Sequence, residues 1–453
     1  MAAPTVQEKL PELVLTPVDR LRLRRTRRPT DFLERLGAGS PRIVRFRLRG
    51  QDTYLLIAPD LVRELLVAQG RATGKARGHS HARMILGQGL LTSDGDLHQR
   101  QRRMIAPAFH PTRVEQYADQ AVVTATVLAE HPDWRDGAVR DVAEDMIDLM
   151  LLNIGRMLFG ADLTEDAGAV AGALTTLLRP FERRLLPTSK LMRRLRTPGD
   201  RQIAAAGAEL TRVVERHIAE HRESGDRGDI LSMLLSARDP SGEPMPDGQV
   251  RDEAVTMMLA GHETSAAALS WTWLFLDENP SVAERLHEEV DRLDTTPTHG
   301  DLDRLPWSRA VIAESLRIMP PTWMMSRRLQ QDVVFDGWTV PDGSTCIVAQ
   351  WLTHRDERWW PTPLTFRPER WITPAGKFDE TAPGQPPGAY FPFGMGRRVC
   401  LGQPFARAEL ALVLATLTRH WSATLIPGHP IDIRPGTALR PAHGLRMTLH
   451  RRP

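Results

Sequence analysis

The residues Phe393-Gly394-Met395-Gly396-Arg397-Arg398-Val399-Cys400-Leu401-Gly402 place one cysteine in a glycine-punctuated loop, and a helical pattern begins behind it at Pro404-Phe405-Ala406-Arg407-Ala408-Glu409. A lone thiolate presented this way suits a metal at the centre of a flat macrocycle. Glycines let the macrocycle approach the backbone, and amides at the start of the next helix lower the charge density on sulfur. Read from these residues alone, a packed cysteine beside a turn is the other possibility. The chain has two cysteines, Cys346 and Cys400, too few for a disulfide framework or a structural zinc site. Cys346 lies in a strand-like run and reads as packing.

The rest of the chain has the means to enclose such a group. Its 453 residues contain no repeat or Gly/Ser linker, so one domain, 1–453, is expected. A 41% hydrophobic and 25% charged composition is that of a globular protein with a deep core. The net charge of +3 does not call for a nucleic-acid partner. Arginines cluster at 20–28 and at 183–196, each most simply a solvated helix face. The first residues lack the basic start and apolar run of a signal peptide, and no stretch is long and apolar enough for a transmembrane anchor. A cytoplasmic, monomeric protein is the expectation.

Periodicity predicts a mainly α fold with minor β. A hairpin is expected over 43–57 around Gly50-Gln51-Asp52. Helices dominate from about Thr112 to Leu293, with breaks at Pro180, Pro187, Pro198-Gly199 and 239–244. Strand-rich patches follow at Val333–Ala349 and near the carboxyl end. The segment from Val250 to about Asp277 is apolar almost all round, as for a helix crossing the core. In its middle, Ala260-Gly261-His262-Glu263-Thr264 is costly: a mid-helix glycine loses roughly 1 kcal/mol against alanine, and a threonine hydroxyl can leave the helical ladder and favour a bulge.

The loop resembles the haem-binding loop of the cytochrome P-450 family, Phe-x-x-Gly-x-Arg-x-Cys-x-Gly, at every fixed position from Phe393 to Gly402. Three further motifs match in family order. Ala260-Gly261-His262-Glu263-Thr264 resembles the oxygen-activating stretch, Glu314-Ser315-Leu316-Arg317 the Glu-x-x-Arg motif, and His98 four residues before Arg102 the haem-contacting pair. The resemblance implies a triangular, mainly helical fold with a long central helix over the haem and small peripheral sheets. It implies haem b (iron protoporphyrin IX) with Cys400 as the metal ligand and Ala260, Phe393 and Gly394 against the cofactor. His98, Arg102, Arg398 and Arg327 would pair with the propionates, Arg328 being the alternative to Arg327. Thr264 would hydrogen-bond dioxygen and Glu263 would relay protons, deciding between productive oxygen cleavage and loss as hydrogen peroxide. His262, about 100° from each neighbour, is expected to be structural. Glu314, Arg317 and Arg370 would form a structural triad behind the cysteine loop.

By the same resemblance the substrate would meet Met257, Trp323 and Met324, with loops near 71–91 and 177–196 as the remaining walls. These apolar residues imply a hydrophobic natural product such as a terpenoid or polyketide; lid arginines leave open an acidic or carrier-tethered one. The expected activity is a haem-thiolate monooxygenase. Its two electrons would come from an external ferredoxin and an NAD(P)H-dependent reductase, with Arg100 and Arg103 near the docking face. A peroxide-driven haem oxygenase and a non-catalytic haem-based sensor are the alternatives; the complete Glu263-Thr264 pair argues against both.

Overall fold

The computed structural model describes residues 12–13, 29–48, 50–76, 83, 86–161, 167–184, 198–381 and 384–453. The arginines at 20–28 and 193–196, the side chains of Arg183 and Arg184, and parts of the 71–91 and 177–196 segments lie outside them. The chain divides into two compact units. The smaller comprises Met1–Arg77, Trp323–Pro363 and Gly384–Val399, the larger Gly78–Thr322, Leu364–Pro383 and Cys400–Pro453.

The smaller unit is built on a six-stranded mixed sheet, in the order Glu12–Leu13, Ile43–Leu48, Gln51–Leu56, Thr345–Val348, Met325–Leu329, Thr73–Lys75. The expected hairpin turns earlier than the sequence suggests: Leu48 already pairs with Gln51 and Arg47 with Asp52. The tighter turn lets both Arg45 and Arg47 reach the Asp52 carboxylate at 3.3 Å. Cys346 is fully buried on the strand next to Arg327, and burial pushes its thiol up to about 12.

The larger unit carries most of the helices: Gly95–Ile105, Pro111–Ala129, Val142–Phe159, Ala167–Arg184, Pro198–Ser224, Asp247–Glu278, Pro280–Asp291, Pro306–Ile318 and Gln403–His420. The helix beginning at Ala167 runs through Pro180 to Arg184, so that proline does not end it. Pro198 instead starts a helix, the position where a missing N–H costs nothing. Small sheets join Val139–Asp141 to Arg446–Arg451 and Trp421–Leu425, and Ile433–Pro435 to Leu439–Pro441.

Asp247–Glu278 is one continuous helix of 32 residues, about 48 Å long. The bulge expected near Thr264 is absent. The Thr264 hydroxyl donates to the Ala260 carbonyl at 2.7 Å without opening the ladder, and Gly261 has a different use. A Cβ on Gly261 would lie 2.7 Å from Ile154 Cδ1, so the glycine lets this helix approach Val142–Phe159 closely. Gly261→Val should lower stability by about 1–3 kcal/mol through overpacking, and Gly261→Ala by less, because the Ile154 methyl can shift; denaturant unfolding measures both.

Candidate functional site

The central helix is buried along most of its length, from Glu253 to Leu276. The accessible positions within that stretch are Met257, Ala260, Gly261 and Thr264, spaced i, i+3, i+4, i+7 and therefore one stripe along one face. His262 points away into the core, where its Nδ1–H donates to the Met258 carbonyl at 2.9 Å. Desolvation pulls that imidazole down to about 4, so it stays neutral. Glu263 is 3% exposed and pairs with Arg440 Nε at 3.2 Å. The pair lines a cleft of about 230 Å³ that also takes in Asp141, Glu144, Ser270 and Arg434. Glu263 and Thr264 are thus neighbours that face a polar cleft and an accessible stripe respectively. Arg440 lies 177 residues from Glu263, and no sequence signal joins them.

Cys400 lies three residues before the start of the helix Gln403–His420. Its side chain is accessible, yet protein surrounds it closely enough for desolvation to raise the thiol above its ordinary value. Backbone N–H groups of Gly402 and Gln403, with Arg102 and Arg407, act in the opposite direction and favour the thiolate. A methyl group on Gly402 would make ordinary contact with Cys400 Sγ at 4.0 Å and the Phe109 ring at 3.6 Å. Arg102 feels the Cys400 charge while burial pulls its own guanidinium down. His98, one turn earlier on the helix Gly95–Ile105, is buried. A donor set of one sulfur with cationic groups nearby fits an iron porphyrin carrying acidic side chains.

Phe393, Gly394, Arg398, Arg327, Trp323 and Met324 belong to the smaller unit. Gly394 and Gly396 both have positive φ, +73° and +69°, and their missing side chains make room for Met325 Sδ and the Leu66 carbonyl. Phe393 and Arg398 are partly accessible. Arg327 is buried on its strand while Arg328 lies on the alternate, half-buried side. Trp323 is 5% exposed and Met324 is half-buried, so Met324 has more free surface to offer a ligand.

Glu314, Arg317 and Arg370 come together in the larger unit. Arg317 grips the carboxylate through Nε and Nη2, both at 2.8 Å. Arg370 Nε adds a bond at 2.9 Å, the Arg367 backbone N–H one at 3.1 Å, and Trp371 Nε1 one at 2.9 Å. Trp371 directly follows Arg370, but only the folded turn reveals its role. Glu314 and Arg317 have no exposed surface; removing one partner strands the other in a low dielectric. Glu314→Ala should cost about 3–5 kcal/mol and weaken haem retention, measurable by urea unfolding and by haem transfer to a scavenger protein.

A second buried carboxylate escaped the sequence reading. Glu409 accepts from Asn153 Nδ2 at 3.2 Å and Ser265 Oγ at 3.1 Å, and desolvation pushes it up to about 7 despite both bonds. Its folded pKa lies above the unfolded value, so its stabilising contribution is complete below about pH 4.5 and is lost as pH rises through about 7. Glu253, also pushed up to about 7, acts in the same direction. Glu409→Gln should remove its share of that slope, roughly 2–3 kcal/mol between pH 5 and 8, as read from unfolding curves at the two pH values.

The Cytochrome P-450 family model matches residues 20–448. The chain is 35% identical to cyclooctatin synthase and 36% identical to cyclooctat-9-en-7-ol 5-monooxygenase, both of Streptomyces melanosporofaciens. Those alignments cover 93% and 89% of this chain and 91% and 86% of the relatives. It is 33% identical to pentalenene oxygenase of Streptomyces avermitilis, over 93% of this chain and 92% of that one. A crystal structure of a cytochrome P-450 DA haem domain superposes with a TM-score of 0.87 at 25% identity, covering 98% of each chain. The chain belongs to the cytochrome P-450 family. It is a monooxygenase with that family's mainly helical fold and haem-thiolate cofactor. Among the described residues no helix is long and apolar enough to cross a membrane.

Proposed function

We propose that this enzyme hydroxylates a hydrophobic cyclic terpenoid, with haem b held by Cys400 and residues 1–453 acting as one functional domain. The observation that carries the site assignment is Cys400, at once accessible and densely surrounded, with Arg102 and two helix-start amides acting on its charge. The substrate class is supported by the apolar stripe Met257, Ala260 and Gly261 and by relatives named for pentalenene and cyclooctat-9-en-7-ol. Bound haem supplies dioxygen activation, by which a C–H substrate, dioxygen, two electrons and two protons yield an alcohol and water.

The chain's own residues then bind, orient and move protons. Arg102, Arg398 and Arg327 pair with the propionates and His98 hydrogen-bonds them; the burial of Arg327 favours it over Arg328 for this task. Ala260, Phe393 and Gly394 offer small or flat surfaces to the macrocycle. Thr264 turns its hydroxyl from the Ala260 carbonyl toward dioxygen, and Glu263 carries protons from the polar cleft. Met257, Met324 and Trp323 bound an apolar substrate. An external ferredoxin and its NAD(P)H-dependent reductase deliver the electrons.

Cys400→Ala should abolish the thiolate-type absorption band of the reduced carbon-monoxide complex; a variant that keeps the full band removes Cys400 as the ligand. Thr264→Ala should retain the band but raise hydrogen peroxide formed per NADPH consumed several-fold, and unchanged coupling would count against its role. Spin-state titration with cyclic terpenes tests the substrate class, which fails if none binds while other hydrophobic ligands do.

A further inference from the structure

The loop Gly87–Thr92 is fastened to the central helix by two consecutive carboxylates. The Gln88 backbone N–H donates to Asp252 Oδ2 and the Leu90 N–H to Glu253 Oε2, both at 2.8 Å. Two side chains stiffen the loop itself. Gln101 Nε2 donates to the Gln88 carbonyl at 2.6 Å, and the Thr92 hydroxyl bonds the Gly87 and Gly89 carbonyls at 2.7 and 3.1 Å. Gln249 Nε2 donates to Glu253 Oε1 at 3.3 Å, holding the carboxylate for the loop. Glycine at 89 is required by contact: a Cβ there would meet the Thr256 hydroxyl and lie 2.6 Å from the Asp252 carbonyl oxygen.

The anchor points share a face with the open stripe. Glu253, Met257, Ala260 and Thr264 recur at helical spacing, and Thr256 lies one turn before Ala260. The loop is therefore seated about one turn, roughly 6 Å along the axis, before the stripe begins. It brings two apolar side chains: Leu90, which like Met257 packs against the core cluster of the larger unit, and Leu91, 40% exposed.

We propose that Asp252 and Glu253 are positioning residues that clamp Gly87–Thr92 as a fixed apolar wall at the amino-terminal end of the substrate stripe, and that this clamp sets the bulk of substrate admitted. A glycine-seated wall excludes by shape. A loop freed from the helix yields to large ligands and leaves small ones unaffected. The inference rests on the monooxygenase reading only in taking the stripe as the substrate face.

The test uses the purified haem protein and its Glu253→Ala, Glu253→Gln and Gly89→Ala variants, with hydrogen–deuterium exchange of the 87–92 amides and binding of imidazole and of the bulky azole clotrimazole. Glu253→Ala and Gly89→Ala should speed loop exchange at least about tenfold, because a carboxylate acceptor or the contact that seats it has gone. They should shift the clotrimazole dissociation constant at least about fivefold and leave that of imidazole within about twofold, since a shape constraint discriminates by size. Glu253→Gln keeps an acceptor and should stay close to the parent protein in all three readings. Unchanged exchange, equal shifts for both azoles, or a glutamine variant as loose as the alanine one would each overturn the clamp. If Gly89→Ala does not fold, the Glu253 pair decides alone. Failure of the parent protein to bind azoles or form the thiolate band would remove the haem reading, while the exchange data would still judge the clamp.

Discussion

The larger unit is organised by the need to bury a 32-residue helix on nearly every side while leaving one stripe of it open. That demand explains why the helix Val142–Phe159 comes close enough to need Gly261 against Ile154. It also explains why polar groups on the helix find partners in other segments. Trp271 Nε1 on its carboxy-terminal half donates to the Leu439 carbonyl at 2.9 Å, and Thr272 donates to Ser315 Oγ at 2.9 Å. Each contact closes a side of the helix, and what remains open is the stripe ending at Thr264. The site is as much the unburied part of a packing solution as a set of chosen residues.

Charge inside this unit is handled in two ways. Glu314 is ringed by donors, two of them guanidinium groups. Glu409 and Glu253 receive only neutral donors, and desolvation carries both up to about 7. The same force that raises these carboxyls raises the Cys400 thiol, against which the amides of Gly402 and Gln403 and the Arg102 charge work. Under the proposed ligation, a metal cation at the sulfur would complete what those partial charges begin, because a coordinating thiol is deprotonated outright.

Motifs whose members sit close in the chain were readable from the start. The cysteine loop, the Glu263-Thr264 pair, Glu314 with Arg317, and His98 with Arg102 all rely on fixed local spacing, and local backbone geometry preserves such spacing. The central helix was legible for the same reason, to within three residues at its amino end and one at its carboxyl end. Two readings went astray: Thr264 back-bonds without opening the helix, and Pro180 is carried inside a helix.

The amino-acid sequence by itself determined the family, the mainly helical fold, the one cysteine in a glycine-punctuated loop and the polar break in an apolar helix, since each is a short-range pattern. The tertiary structure alone decided that Glu263 meets Arg440, that Trp371 and Arg367 complete the Glu314 cluster, and that Asp252 and Glu253 hold a loop more than 160 positions earlier. Those pairings depend on which helix faces which loop once the core has closed. Carboxylates bond backbone amides without regard to the side chain attached, so such contacts leave no residue-type signature in the chain.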